Sequence, residues 1–122
     1  MRSLIILGST GSVGTQALDV VRRNPDRFRV IGLSAGSNHE LLVGQIREFL
    51  PPFVAIADPE AARDLGERLG GVSGIEILTG PASAEALARD VEADMVLNAL
   101  VGSVGLAPTL AALQSGDRKS VV

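Results

Sequence analysis

The sequence predicts an α/β fold, a doubly wound parallel sheet of about five βα units, and three observations carry that expectation. Short apolar runs alternate with stretches of helical spacing. Pro, Asn, Asp and Gly stand at the junctions between them, where strands and helices start and stop. The hydrophobic fraction is 46%, drawn from Val, Ile, Leu and Ala, with only three Phe and no Trp or Tyr. Buried parallel strands covered by Ala- and Leu-rich helices have this composition.

In chain order, residues 4–7 form the first strand, which ends in Gly8. Helical spacing follows over residues 13–23, with Val13, Ala17, Val20 and Val21 on one face and Gln16, Asp19, Arg22 and Arg23 pointing away. Asn24-Pro25 stops this helix, because proline disfavours helical backbone at the residue before it. Residues 28–33 are the second strand and 38–50 the second helix, which ends at Pro51-Pro52. Residues 53–57 form the third strand, and Asp58-Pro59 opens the helix at 59–69 with a cap and a first-turn proline. Strands at 75–78 and 95–100 and helices at 82–90 and 105–114 complete the series. The apolar runs are too short for helices, and five βα units in series imply right-handed crossovers.

Composition narrows the function. A chain of 122 residues fits one domain and buries roughly two-thirds of the surface its unfolded form would expose. The net charge of -3, with no block of like charges and no aromatic platform, argues against a nucleic-acid partner. The absence of Cys excludes disulfides, thiolate metal ligands and a Cys nucleophile from these residues. The apolar run at 4–7 is too short for a signal peptide or a membrane span, so the expectation is a cytoplasmic protein with no membrane partner.

The most informative segment is Gly8-Ser9-Thr10-Gly11-Ser12-Val13-Gly14, between the first strand and the first helix. Gly8 suits a tight turn, Gly11 removes a side chain where backbone must approach a pyrophosphate, and Gly14 lets helix and strand pack closely. The N–H groups of Thr10, Gly11, Ser12 and Val13 are then aimed at phosphates, aided by the helix dipole. The spacing is G-x-x-G-x-x-G, one residue longer than the dinucleotide fingerprint, but its strand–turn–helix context is the Rossmann-like one. An ordinary glycine turn is the competing explanation.

Leu33-Ser34-Ala35-Gly36-Ser37-Asn38 carries no Asp or Glu where NAD enzymes bind the ribose 2′-hydroxyl. That absence admits the 2′-phosphate of NADPH, to which Ser37 and Asn38 can donate hydrogen bonds; either residue could also simply cap the second helix, and both roles can hold at once. Ala99 and Leu100, at the carboxyl end of the fifth strand, either line the nicotinamide-ribose end or pack in the core. His39, the only histidine, is given no role.

Together these segments resemble the 1-deoxy-D-xylulose 5-phosphate reductoisomerase family. The resemblance rests on Leu7-Gly8-Ser9-Thr10-Gly11-Ser12-Val13-Gly14-Thr15-Gln16, Leu18-Asp19-Val20-Val21 and Asn24-Pro25-Asp26-Arg27-Phe28. Ala35-Gly36-Ser37-Asn38, Asn98-Ala99-Leu100-Val101-Gly102 and Gly105-Leu106-Ala107-Pro108-Thr109-Leu110 extend it. It implies an amino-terminal NADPH-binding domain at residues 1–116 of a larger, usually homodimeric enzyme of the non-mevalonate isoprenoid pathway. That family isomerises its sugar phosphate and reduces it with NADPH to 2-C-methyl-D-erythritol 4-phosphate, with a divalent Mn or Mg ion. By motif match, Thr10, Gly11, Ser12 and Val13 would hold the pyrophosphate, and Gly36, Ser37 and Asn38 the adenosine 2′-phosphate side.

Two departures from the family pattern stand out. Family members often carry Lys at the position of Ser37. After Gly116, where the family continues into an Asn-Lys-Glu segment and acidic metal ligands, residues 117–122 read Asp117-Arg118-Lys119-Ser120-Val121-Val122, with the only Lys of the chain. They are read as an atypical tail, not native family sequence. The 14 acidic residues are scattered, with no cluster to hold a metal and no catalytic residue evident, so these residues are expected to bind cofactor without turnover. Two other classes stay open: the cofactor domain of another NAD(P) oxidoreductase, and a non-catalytic nucleotide-binding or interaction module. A complete short-chain dehydrogenase is excluded, because its proton donor is a Tyr.

Overall fold

A computed structural model describes residues 1–70 and 72–100, and the backbone of Ser120 and Val121. The elements are β1 (Arg2–Leu7), α1 (Ser12–Arg23), β2 (Phe28–Ala35), α2 (His39–Phe49), β3 (Phe53–Ile56), α3 (Pro59–Arg68), β4 (Glu76–Thr79), α4 (Ser83–Asp90), β5 (Met95–Asn98) and β6 (Ser120–Val121). The strands form one parallel sheet in the order β4-β3-β2-β1-β5-β6. The chain therefore winds outward from β1 to β4, crosses back, and resumes on the other side of β1. The doubly wound expectation holds. The sheet has one strand more than the five read from sequence, and that strand lies within residues 117–122.

The alternation of side chains along β1 explains the two-sided core. Leu4 and Ile6 face a cluster with Leu18 and Val21 of α1, Leu42 and Ile46 of α2, and Leu65 of α3. Ile5 and Leu7 face the opposite cluster, with Leu87 and Ala88 of α4. A register shift between Leu4 and Ile5 interrupts the β1–β2 ladder, pairing Leu4 with Val30 and Ile5 with Gly32. Gly32 then comes so close to α4 that an added Cβ would sit 3.1 Å from Ile5 Cγ1 and 3.2 Å from Leu87 Cδ1.

Several boundaries differ from the sequence reading for local reasons. β2 runs two residues further, because Ser34 and Ala35 still pair with Ala55 and Ile56. β5 ends at Asn98, whose Oδ1 accepts the Leu100 N–H at 3.0 Å and turns the chain. Asn24 stops α1 as expected, its Nδ2 donating to the Val20 carbonyl at 2.8 Å. The helix expected at 105–114 lies outside the described residues. The buried face of α1 is corrected in part. Val21 is buried as expected and Ala17 is half-buried, but the face turns on Gly14 and Leu18, and Val13 and Val20 are 50% and 54% exposed.

Two polar clasps close the fold away from the core. Asp94 Oδ2, before β5, accepts the Ser3 N–H at 2.8 Å and the Ser3 hydroxyl at 3.2 Å. The Asp94 N–H returns a bond to Ser3 Oγ at 2.9 Å, so the starts of β1 and β5 are pinned together. Between α1 and α2, Arg22 grips Glu48 through both Nε and Nη2, and its guanidinium lies 5.5 Å from the Phe49 ring centroid.

Two tests follow from these contacts. Gly44 in α2 and Gly66 in α3 are exposed, and an added Cβ would meet nothing within 4 Å at either site. Gly44→Ala and Gly66→Ala should each stabilise the chain by about 0.5–1 kcal/mol through helix propensity, and urea denaturation showing a loss would contradict this. The Ser3 backbone N–H, then its hydroxyl, hold the Asp94 carboxyl below its usual range. A depressed carboxyl contributes stability that is fully present above its unfolded pKa and lost as pH falls through the folded one. The stability gap between the native chain and Asp94→Asn should therefore stay constant near neutrality and narrow below about pH 4. A gap independent of pH down to acid unfolding would show that the clasp contributes nothing.

Candidate functional site

Three of the expected segments meet at the carboxyl end of the sheet. The β1–α1 turn, the tip of β2 and the chain after β5 are neighbours because β1 lies between β2 and β5. The outward winding reverses between β1 and β5, which makes this edge the topological switch point where α/β sheets form their ligand crevice.

The β1–α1 turn is shaped by two of its glycines. Gly8 has φ of +78°, a region that favours glycine, and a Cβ there would meet Leu100 Cδ2 at 3.0 Å and the Ala99 carbonyl carbon at 3.3 Å. At Gly14 a Cβ would lie 2.1 Å from the Gly8 oxygen and 2.6 Å from Ser9 Cα, so no side chain fits. Gly11 differs. Its φ is -79°, and a Cβ would meet only the Gly8 oxygen, at an ordinary 3.5 Å. Nothing in the described structure requires glycine at position 11, which is exposed.

Gly11 is the N-cap of α1, with no side-chain cap bond, and no acidic residue occupies the first turn. Among the described residues the N–H groups of Thr10, Ser12 and Val13 have no hydrogen-bond acceptor. The Gly11 N–H, expected to be free, donates to the Gly8 oxygen at 3.2 Å; that expectation is corrected. The turn thus presents three backbone donors at the positive end of a helix dipole, suited to an anion.

Beneath the turn lies a polar anchor that the sequence reading missed. Ser9, Ser34 and Gln45 are 0%, 2% and 6% exposed. The Ser34 oxygen accepts the N–H groups of Gly8 at 3.1 Å and Ser9 at 2.8 Å, and Ser34 Oγ accepts from Gly8 N at 2.9 Å. Ser9 Oγ donates to Gln45 Oε1 at 2.7 Å, and Gln45 Nε2 donates to the Ser9 oxygen at 2.8 Å. No buried side-chain N or O atom among the described residues lacks a partner. The one available sequence signal was a Gln on the apolar face of α2, between Leu42 and Ile46.

At the tip of β2, Gly36, Ser37 and Asn38 are exposed. The Gly36 carbonyl accepts the Asp58 N–H at 2.9 Å, tying this tip to the start of α3. Asn38 is the residue that caps α2, its Oδ1 accepting the Leu41 N–H at 3.2 Å; Ser37 does not cap. After β5, the Ala99 N–H bonds the Leu7 oxygen at 2.9 Å, and the Leu100 side chain leans over Gly8. Both residues are half-buried and pack on the turn. The described concavities lie elsewhere: one of about 460 Å³, bounded by Met1, Arg22, Phe28 and Phe49, sits at the amino-terminal end of the sheet. No group of three or more His, Cys, Asp or Glu is placed to hold a metal ion among the described residues. No helix among them is long and apolar enough to cross a membrane.

Comparison with known proteins gives a consistent picture. The family model described as 1-deoxy-D-xylulose 5-phosphate reductoisomerase matches residues 4–121. The protein of that name from Rhodococcus jostii (strain RHA1) is 58% identical over 116 residues, which are 94% of this chain and 27% of the relative. The solved structure of the Zymomonas mobilis reductoisomerase in complex with NADPH superposes with a TM-score of 0.88 at 38% identity, over 98% of this chain and 31% of that one. A DOX-P reductoisomerase in complex with NADPH, fosmidomycin and magnesium matches at 0.88 and 33% identity, over 98% of this chain and 29% of that one. The chain spans less than a third of the length of these relatives.

The contrast between the glycines is testable. Gly14→Ala should cost more than about 3 kcal/mol, because the helix must leave its seat. Gly11→Ala should cost about 1 kcal/mol or less, the difference in N-cap preference alone. Equal losses in chemical denaturation would mean that Gly11 too is held by the fold.

Proposed function

The chain belongs to the 1-deoxy-D-xylulose 5-phosphate reductoisomerase family, and from that premise we propose that the carboxyl edge of its sheet binds NADPH. The observation that carries this reading is the uncapped amino terminus of α1, where three free N–H groups surround a glycine that the fold does not need. A pyrophosphate supplies the missing acceptors, and Gly11 leaves room for its approach.

In this reading Thr10, Ser12 and Val13 hold the pyrophosphate through backbone N–H groups, with Gly8 and Gly11 shaping the turn. Gly36, Ser37 and Asn38 face the adenosine 2′-phosphate: Ser37 offers its hydroxyl, and Asn38 its Nδ2, because its Oδ1 is engaged with Leu41. Ala99 and Leu100 bound the nicotinamide-ribose side. NADPH, once bound, supplies a hydride.

The whole enzyme would then isomerise 1-deoxy-D-xylulose 5-phosphate and reduce it to 2-C-methyl-D-erythritol 4-phosphate for isoprenoid synthesis. We propose that it works as a cytoplasmic homodimer with a divalent Mn or Mg ion, whose ligands lie outside the described residues. The 122 residues by themselves bind cofactor without turnover.

Calorimetric titration of the chain with NADPH and NADH tests this reading. Saturable binding is expected, with NADPH favoured by about tenfold, because neutral donors at the 2′-phosphate contribute about as much as one ordinary hydrogen bond. A folded chain that binds neither nucleotide would overturn it.

A further inference from the structure

We propose that Gln45 is a positioning residue for the cofactor pyrophosphate: from α2 it sets the orientation of the Ser9–Thr10 peptide, and with it the direction of the Thr10 N–H. This inference rests on the NADPH reading above and adds to it a residue that touches no ligand. Gln45 is 6% exposed on α2, and both ends of its amide are spent on Ser9. Its Oε1 accepts the Ser9 hydroxyl at 2.7 Å, and its Nε2 donates to the Ser9 backbone oxygen at 2.8 Å.

The second of these bonds matters for a ligand. In a trans peptide the carbonyl and the following N–H point in opposite directions. Drawing the Ser9 oxygen inward to Gln45 turns the Thr10 N–H outward. The Ser9 N–H, bound to the Ser34 oxygen at 2.8 Å, fixes the preceding peptide in the same way. The two bonds define the backbone on both sides of Ser9, so the Thr10 donor is oriented before an anion arrives. Because α2 begins at the Asn38 cap, Gln45 also joins the pyrophosphate segment rigidly to the segment proposed for the adenosine side.

Gln45→Met preserves length and apolar packing but breaks both bonds. NADPH titration of the isotopically labelled chain, followed by amide NMR, reads affinity and the response of each N–H together. In the native chain the amides of Thr10, Ser12 and Val13 and those of Gly36–Asn38 should shift to saturation. In Gln45→Met, well below its melting temperature, the affinity should fall about tenfold. At saturation the Thr10 shift should be lost while the Gly36–Asn38 shifts remain. Gln45→Leu likewise removes both bonds while keeping an apolar side chain, and serves if the Met variant does not fold; the same selective loss is expected. Native affinity with a native Thr10 shift in a folded variant would overturn the positioning role, as would an equal loss at both segments. No saturable shift in the folded native chain would instead refute NADPH binding, and this inference with it.

Discussion

The contact on which the rest of the site depends is the seating of α1 against the backbone of Gly8 and Ser9. With 2.1 Å between the Gly8 oxygen and the position of a Cβ on residue 14, the approach exists only because that residue is glycine. It sets the rotation of α1 about its axis. Gly14 is the point of nearest approach, so Leu18 and Val21 follow it into the core and Val13 is carried to the outside. The same rotation brings the amino-terminal N–H groups of α1 to the carboxyl end of β1, beside the reversal in strand order. A single steric requirement thus fixes both the packed face of the helix and the direction of its dipole.

Such a turn holds its shape only if it is supported from beneath, and the support here is polar. Apolar clusters fill both faces of the sheet, yet Ser9, Ser34 and Gln45 are buried directly under the Gly-rich segment. Among the described residues no buried side-chain N or O atom lacks a partner, so the cluster avoids the desolvation cost that an unpaired group would carry. In a low-dielectric interior these directional bonds leave the turn fewer alternatives than apolar contacts would. An anion arriving at the proposed site would find amides already oriented, and little of its binding free energy would go into ordering them.

Much of this architecture is legible in the residues. Each strand of the series from β1 to β5 was anticipated, because buried parallel strands are short apolar runs, and the Asp58-Pro59 start of α3 and the Asn24 stop of α1 follow from local chemistry alone. The rotation of α1 was not legible. The residues at 13, 17 and 20 have helical spacing just as those at 14, 18 and 21 do, and only the tertiary contact at Gly14 selects between them. The extension of β2 to Ala35 depends on pairing with β3, which no single segment encodes. At the site, the glycines declare themselves because backbone geometry restricts residue type. Ser9 and Ser34 do not, since a Ser in a turn or near a strand end is ordinary until the fold buries it, and Gln45 is marked only by its place on the apolar face of α2. Among the described residues the N–H groups of Thr10, Ser12 and Val13 have no acceptor, whereas that of Gly11 is consumed by a turn bond.

The two ends of the proposed site would recognise phosphate by different physics. At α1 the donors are backbone N–H groups backed by a helix dipole, and the first turn carries no carboxylate to oppose an anion. At α2 no Lys or Arg stands among Gly36, Ser37 and Asn38, and Glu40 lies in the first turn. Helix capping and phosphate recognition by Asn38 are compatible readings of the sequence, and the cap is present in the structure. The cap bond turns Oδ1 toward the Leu41 N–H and so directs the Nδ2 hydrogens away from the helix. A side chain that could otherwise present either end is held with its donor end outward, the character that an adjacent phosphate can use. In the proposed reading, recognition at this end would depend on the integrity of the α2 cap rather than on charge.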